Sequence, residues 1–224
     1  GEKKPVRTQL LVMTYNLMNV GYPYAKGGMN PAEQIAEHVK NNYIDILCMQ
    51  EAHVGSCVKS IMDRVNPEMK YLYFRAYTGG DGDLSPGIGI YSRYPIISRG
   101  LVSEVDSERV RAIWADLRIK HDTVRVVNCH LQSTSVNNRC TDYLSSLRIV
   151  TEERGRTRLR GIAGKLNENY AKRAPQSRAI AEFVRKSSHP VIICGDFNDT
   201  PVSYTYRTMS KGMKDAFVAK GRGA

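Results

Sequence analysis

The residues of this chain that could do chemistry stand where apolar runs stop. L-L-V-M-T-Y-N ends at Asn16, and I-D-I-L-C-M-Q-E ends at Glu51. V-R-V-V-N-C-H-L carries His130, and V-I-I-C-G-D-F-N delivers Asp196 and Asn198. In sheet-based folds ligands gather at strand ends, where loops leave a rigid scaffold. If these four ends converge, they form a cluster of hard oxygen donors with one imidazole. That inventory suits Mg²⁺, with Mn²⁺ as the alternative, because both take carboxylate, amide oxygen and water. It does not suit zinc, since neither H-E-x-x-H nor a Cys/His cluster occurs. A divalent ion offsets charge on a phosphoryl oxygen and lowers the pKa of bound water. An acid-base histidine and an aspartate polarising the attacking water would complete a hydrolytic set.

Taken singly, each residue has a duller explanation. A histidine after a strand is usually a satisfied structural group. An asparagine in a turn usually bonds nearby backbone, and G-D-F-N alone reads as an Asx-type turn. Four separate runs ending in such residues favour placed chemistry.

The elements that must position these residues are short. Strand character is read at Leu10–Tyr15, Ile44–Met49, Ile88–Ser92, Ala112–Ile119, Val124–Cys129 and Val191–Cys194. Asn30-Pro31-Ala32-Glu33 reads as an N-cap, a proline at the first helical position and a glutamate at the third, leading into Ile35, Ala36 and Val39. Val58, Ile61, Met62 and Val65 follow helical spacing, as do Ala179, Ile180, Phe183 and Val184 after a start near Pro175. Helices and strands alternate early, whereas the middle reads strand after strand. The mixture predicts a layered α/β or α+β domain. With no short-period repeat and no linker-like segment, residues 1–224 are expected to form a single domain.

Composition narrows the partners. The 224 residues carry a net charge of +11, a surplus that attracts nucleic acid, phosphorylated metabolites or an anionic membrane surface. Five cysteines without metal-site spacing make a disulfide framework unexpected, and Cys48, Cys129 and Cys194 read as buried thiols inside apolar runs. No stretch approaches the roughly 20 apolar residues of a membrane span, and no signal peptide is read at the start. The compartment stays open: cytoplasmic, or extracytoplasmic if an anchor precedes the chain.

Between Arg139 and Arg178 ten Lys or Arg stand against four Asp or Glu, six of the eleven excess charges. Leu159, Ile162, Ala163 and Leu166 share a helical face there, which predicts an amphipathic helix. A charge run of this kind is either a solvated face or a wall for a polyanion, with Arg154, Arg156, Arg158 and Arg160 as its substrate-binding residues.

Several segments together carry a resemblance. T-Y-N at Thr14–Asn16, M-Q-E at Met49–Glu51, G-I-G-I-Y-S-R-Y-P-I at Gly87–Ile96, N-C-H-L at Asn128–Leu131 and G-D-F-N-D-T-P at Gly195–Pro201 resemble the endonuclease/exonuclease/phosphatase superfamily. These are the DNase I-like, Mg²⁺-dependent phosphoesterases, and the motifs follow the family's order over nearly the whole chain. The resemblance implies a four-layered α/β/β/α sandwich. It also implies Glu51 as principal metal ligand with Asn16 beside it, and Asp196 orienting the nucleophilic water. Asn198 would hold the scissile phosphate, and His130 would bond a phosphate oxygen or assist proton transfer. Tyr91, Ser92 and Arg93 are read as structural. Family members normally continue to an R-I-D strand and a terminal S-D-H whose histidine is the usual general base. Neither tripeptide occurs here, so the expectation is a domain incomplete at its C terminus, lacking its last strands and that base.

The family cleaves DNA, RNA, phosphoinositides, sphingomyelin and other phosphoesters, and shared core motifs do not choose among them. The basic balance favours an endo- or exonuclease acting on nucleic acid. The alternatives are an inositol-phosphate or lipid phosphoesterase, and a non-catalytic polyanion-binding module. No obligatory protein partner is evident.

Overall fold

The computed structural model describes residues 9–18, 31–53, 59–78, 85–102, 105, 109–133 and 152–221. Contacts divide the chain into two compact units: Gly1–His130 with Lys186–Asp196, and Leu131–Arg185 with Phe197–Ala224.

Among the described residues, the first unit holds eight strands and two helices: β1 Val12–Asn16, α1 Pro31–Asn41, β2 Ile46–Ala52, α2 Lys59–Val65, β3 Tyr71–Ala76, β4 Gly87–Ser92, β5 Ile96–Leu101, β6 Ala112–Ile119, β7 Asp122–His130 and β8 Val191–Asp196. They form two four-stranded sheets, ordered β1-β2-β4-β3 and β5-β6-β7-β8. Each sheet is mixed. β1 runs parallel to β2 and β7 parallel to β8, while the other neighbours are antiparallel. The two parallel pairs matter most, because parallel neighbours end at the same side of their sheet.

Alternation along the strands explains the layering, since successive side chains point to opposite faces. In β2, Leu47 and Met49 pack with Ile35, Ala36 and Val39 of α1 and Met62 of α2. Their neighbours Ile46 and Cys48 instead join Ile88 and Ile90 of β4 and Ile113, Ala115, Leu117 and Val126 of the second sheet. One cluster thus glues helices to a sheet, and the other fills the space between the sheets. Each large apolar side chain fully buried in these clusters contributes about 1.5–3 kcal/mol. In α1, Glu33 lies in the first turn and His38 and Lys40 in the last, matching the helix dipole. The Asn30 N-cap and Val58 expected from sequence lie outside the described residues.

A polar clamp sits within this apolar layer. Asn128, fully buried on β7, donates from Nδ2 to the carbonyls of Met49 (3.0 Å) and Gly89 (2.7 Å) of the first sheet. Its Oδ1 accepts from Gln50 Nε2 at 2.7 Å. The G-I-Y-S-R-Y segment turns as expected of a structural element. Ser92 Oγ accepts from Tyr94 N–H at 2.9 Å, and Arg93 reaches the Ile44 carbonyl at 3.2 Å and Glu68 at 2.6 Å.

The second unit contains α3 Glu152–Arg185, α4 Tyr204–Ser210 and α5 Ala216–Lys220. Pro175, expected at a helix start, lies inside the 34-residue α3. Anchors on both sides of it hold the helix together. Arg173, fully buried, pairs with Asp199 at 3.3 Å and donates to the Gln132 carbonyl at 2.9 Å. Gln176 Oε1 accepts from Gln132 N–H at 3.0 Å. These contacts offset the roughly 3 kcal/mol that an interior proline costs. Two caps close the short helices: Ser203 accepts from Tyr206 N–H at 3.1 Å, and Asp215 from Val218 N–H at 2.9 Å. Among the described residues, no helix is long and apolar enough to cross a membrane.

Candidate active site

Four of the expected residues meet in the first unit. Asn16 ends β1, Glu51 lies near the end of its parallel neighbour β2, and His130 and Asp196 are register partners at the ends of β7 and β8. Asn16 Nδ2 donates to Glu51 Oε1 (3.2 Å) and to Asp196 Oδ2 (2.9 Å), so one amide group bridges carboxylates from both sheets. Its Oδ1 faces the other way and accepts from Met18 N–H at 2.9 Å. His130 Nε2 lies 3.6 Å from Glu51 Oε1.

Local backbone irregularities aim these groups. Between Met49 and Ala52 the β2–β4 register slips, leaving an extra residue on β2, and Glu51 takes a left-handed φ of 51°. Such a bulge re-aims a side chain at the cost of local strain. The strained amide is held: Glu51 N–H donates to Tyr77 Oη at 2.8 Å. On β8, Gly195 has φ 141°, and a Cβ there would come within 2.1 Å of the Cys129 carbonyl oxygen. Only glycine lets β8 approach β7 closely enough to set Asp196 beside His130.

Tyr77 Oη also lies 2.6 Å from His130 Nδ1, with the two rings tilted at 50°. On the other side of β7, His130 N–H donates to the Arg111 carbonyl at 2.8 Å, which extends the Ala112–Cys129 pairing by one step. Directly paired residues share a sheet face, so Arg111, His130 and Asp196 form a row. Burial first of all pulls the His130 pKa below its ordinary value; Asp196 and Glu51 oppose that, and Arg111 and Arg109 reinforce it. Burial pushes the Tyr77 hydroxyl far above the usual tyrosine range. The imidazole and the phenol are thus both held in their uncharged forms, beside Glu51, Asp196 and two arginines.

Asn198 belongs to the second unit, where it takes a left-handed φ of 51° and donates from Nδ2 to the Leu131 carbonyl at 3.1 Å. Arg154, Arg156, Arg158 and Arg160 lie on the backbone of α3, and their side chains fall outside the described residues. Cys48 and Cys129 are buried thiols as expected and Cys194 is partly buried; Cys57 and Cys140 lie outside the described residues. Sequence reasoning missed Tyr77, Arg109 and Arg111, and it quoted Gln50 and Asn128 without giving them a role. For Gln50 and Asn128 a signal existed, a polar residue inside an otherwise apolar run that must find buried partners. Tyr77 is one of thirteen tyrosines and carries no such mark.

Among the described residues, no three His, Cys, Asp or Glu side chains are assembled as a metal-holding group. The donor chemistry nevertheless fits a hard cation. Mg²⁺ is commonly held by one or two carboxylates with water completing its shell, and Glu51 and Asp196 are two such groups drawn together by one amide.

Two mixed sheets face to face, with carboxylates and an imidazole at the ends of their parallel strands, define an α/β fold of the DNase I-like kind. The chain belongs to the Endonuclease/Exonuclease/phosphatase family, whose model matches residues 13–223. Members of this family are Mg²⁺-dependent phosphoester hydrolases. No sequence among the curated proteins matches it significantly. Among solved structures, it is similar to beta toxin from Staphylococcus aureus, at 19% identity and a TM-score of 0.60 over 92% of this chain and 71% of that one. It is likewise similar to sphingomyelinase C from Streptomyces griseocarneus, at 21% identity and a TM-score of 0.57, covering 91% and 70%. A Staphylococcus aureus beta toxin variant with bound magnesium ions matches at 18% identity and a TM-score of 0.52, covering 81% and 61%.

Proposed function

We propose that this chain is a Mg²⁺-dependent phosphodiesterase whose preferred substrate is a nucleic acid. The observation that carries the reading is the Asn16 amide, which draws Glu51 and Asp196 together beside His130. Glu51, with Asn16 next to it, is the proposed holder of the cation. When bound, Mg²⁺ supplies charge to offset that developing on the phosphoryl oxygens. Asp196 accepts a hydrogen bond from the attacking water and orients it. His130, whose imidazole burial keeps uncharged, donates a hydrogen bond to a phosphoryl oxygen. Arg111, in the row with His130, adds positive potential for an anionic substrate.

The choice of nucleic acid rests on charge. A surplus of +11 raises the local concentration of any polyanion. The test compares wild type with a variant in which Arg154, Arg156, Arg158 and Arg160 are replaced by Ala. Each phosphate contact releases condensed counterions, so binding to duplex DNA should weaken with salt at a slope near −0.9 per contact. The variant should show a flatter slope and slower cleavage of DNA or RNA, with turnover of bis-p-nitrophenyl phosphate scarcely changed. Equal losses on both substrates would mean that these arginines support the fold; no loss on either would return them to a solvated face.

The likeness to a sphingomyelinase C favours a second reading, a lipid phosphodiesterase. Sphingomyelin vesicles in the same assay decide it: faster Mg²⁺-dependent hydrolysis there than on DNA and RNA would replace the first reading.

A further inference from the structure

We propose that Tyr77 is the positioning residue of this site: one hydroxyl pins the bulge that aims Glu51 and sets which ring nitrogen of His130 carries the proton. A phenol has one hydrogen to give and two lone pairs to receive. One lone pair is taken by Glu51 N–H at 2.8 Å. The hydrogen goes to His130 Nδ1, 2.6 Å away, a distance usual for a strong bond of this type.

Once Nδ1 accepts, a neutral ring must carry its hydrogen on Nε2, the nitrogen 3.6 Å from Glu51 Oε1. The opposite tautomer would set an imidazole lone pair against a carboxylate, acceptor facing acceptor. The partner of one ring nitrogen generally decides what the other can do. Here it makes His130 a donor toward the carboxylate cluster. The same hydroxyl holds the amide of a residue whose φ of 51° is otherwise strained, so the aim of Glu51 and the tautomer of His130 depend on one atom. Positioning in this sense belongs to the hydrolytic reading above, whereas the tautomer can be read without any substrate.

The experiment is ¹⁵N NMR of the imidazole nitrogens in the metal-free full chain at mildly alkaline pH, for wild type and Tyr77→Phe, with His130→Gln to assign the signals. Wild type should show a proton on Nε2 and none on Nδ1. Tyr77→Phe should shift the ring toward the Nδ1–H form while keeping the circular dichroism of wild type. With a phosphodiester substrate and Mg²⁺, kcat should fall about 10- to 100-fold, the usual range for loss of a supporting partner, and KM should change less than about twofold. A proton on Nδ1 in wild type would overturn the proposal, even if the variant fails to fold. So would an unchanged tautomer in folded Tyr77→Phe. Absence of hydrolysis on every phosphoester would defeat the enzymatic reading and leave the tautomer result standing.

Discussion

Replacing Asn128 with Leu tests whether the two sheets are held in register by the buried clamp. Leucine is of similar bulk but carries no polar atom. The substitution removes three hydrogen bonds, to the carbonyls of Met49 and Gly89 and from Gln50 Nε2. Gln50 keeps two longer contacts, to Thr14 Oγ1 at 3.2 Å and to the Cys48 carbonyl at 3.4 Å, so it is only partly orphaned. A hydrogen bond contributes about 0.5–1.5 kcal/mol net, so the loss of three costs about 1.5–4.5 kcal/mol. That is a large part of the roughly 5–15 kcal/mol by which domains are stable. Urea unfolding followed by fluorescence should show a lower midpoint at unchanged slope. Adding Gln50→Leu removes one of the orphans, so the double variant should lose less than the sum of the singles, by about 1 kcal/mol or more. Asn128 also lies two residues before His130, and Gln50 immediately before Glu51, so hydrolysis should suffer even where the variant is fully folded. A loss below about 1 kcal/mol, with additive singles, would refute the clamp.

Two further outcomes follow from the same geometry. Gly195→Ala puts a methyl 2.1 Å from the Cys129 carbonyl at a φ of 141° and should cost roughly 2–6 kcal/mol, strain and overpacking together. Gly212→Ala, at φ 79° in open space, should cost only about 1–2 kcal/mol, and equal midpoints for the two variants would contradict the close-approach argument. The pKa of His130 is lowered by burial, so between its folded value and the unfolded value of about 6.5 the unfolded chain binds more protons. Stability of the metal-free protein should therefore rise with pH across that window and fall on acidification through it, by at most about 1.4 kcal/mol per pH unit. Denaturation at a series of pH values should show this slope in wild type and its loss in His130→Asn; an identical slope in both would place the effect elsewhere.

Strand β2 was readable because burial on both faces leaves a continuous apolar run, I-L-C-M; the edge strand β8 was read from its run V-I-I-C although it is only half-buried. Two strands were not read, β3 Tyr71–Ala76 and β5 Ile96–Leu101. Both are sheet edges. An edge strand pairs on one side only, and β5 exposes Ile97, Ser98 and Arg99 in succession, so neither a run nor an alternation marks it. Pro175 misled for a different reason: local chemistry reads an interior proline as a helix start, whereas buried Arg173 and Gln176 carry the helix through it. Of the site, the ligand-type residues at strand ends were legible, because polar groups closing apolar runs are conspicuous. Tyr77 and Arg111 reach His130 across strands, through Oη at 2.6 Å and through a backbone pairing at 2.8 Å, and contacts of that kind leave no local pattern.

The most direct test of the account is a Mg²⁺ titration of phosphodiester hydrolysis by wild type and Glu51→Gln, with bis-p-nitrophenyl phosphate and duplex DNA as substrates. Glutamine keeps the shape of Glu51 and an oxygen for the Asn16 amide at 3.2 Å, so the fold should stay within about 1 kcal/mol of wild type. It removes the anionic donor a hard cation prefers. The account predicts hydrolysis that requires Mg²⁺ in wild type and is abolished on both substrates in folded Glu51→Gln. Unchanged turnover in the variant at low Mg²⁺ would contradict it, because the cation would then be held elsewhere.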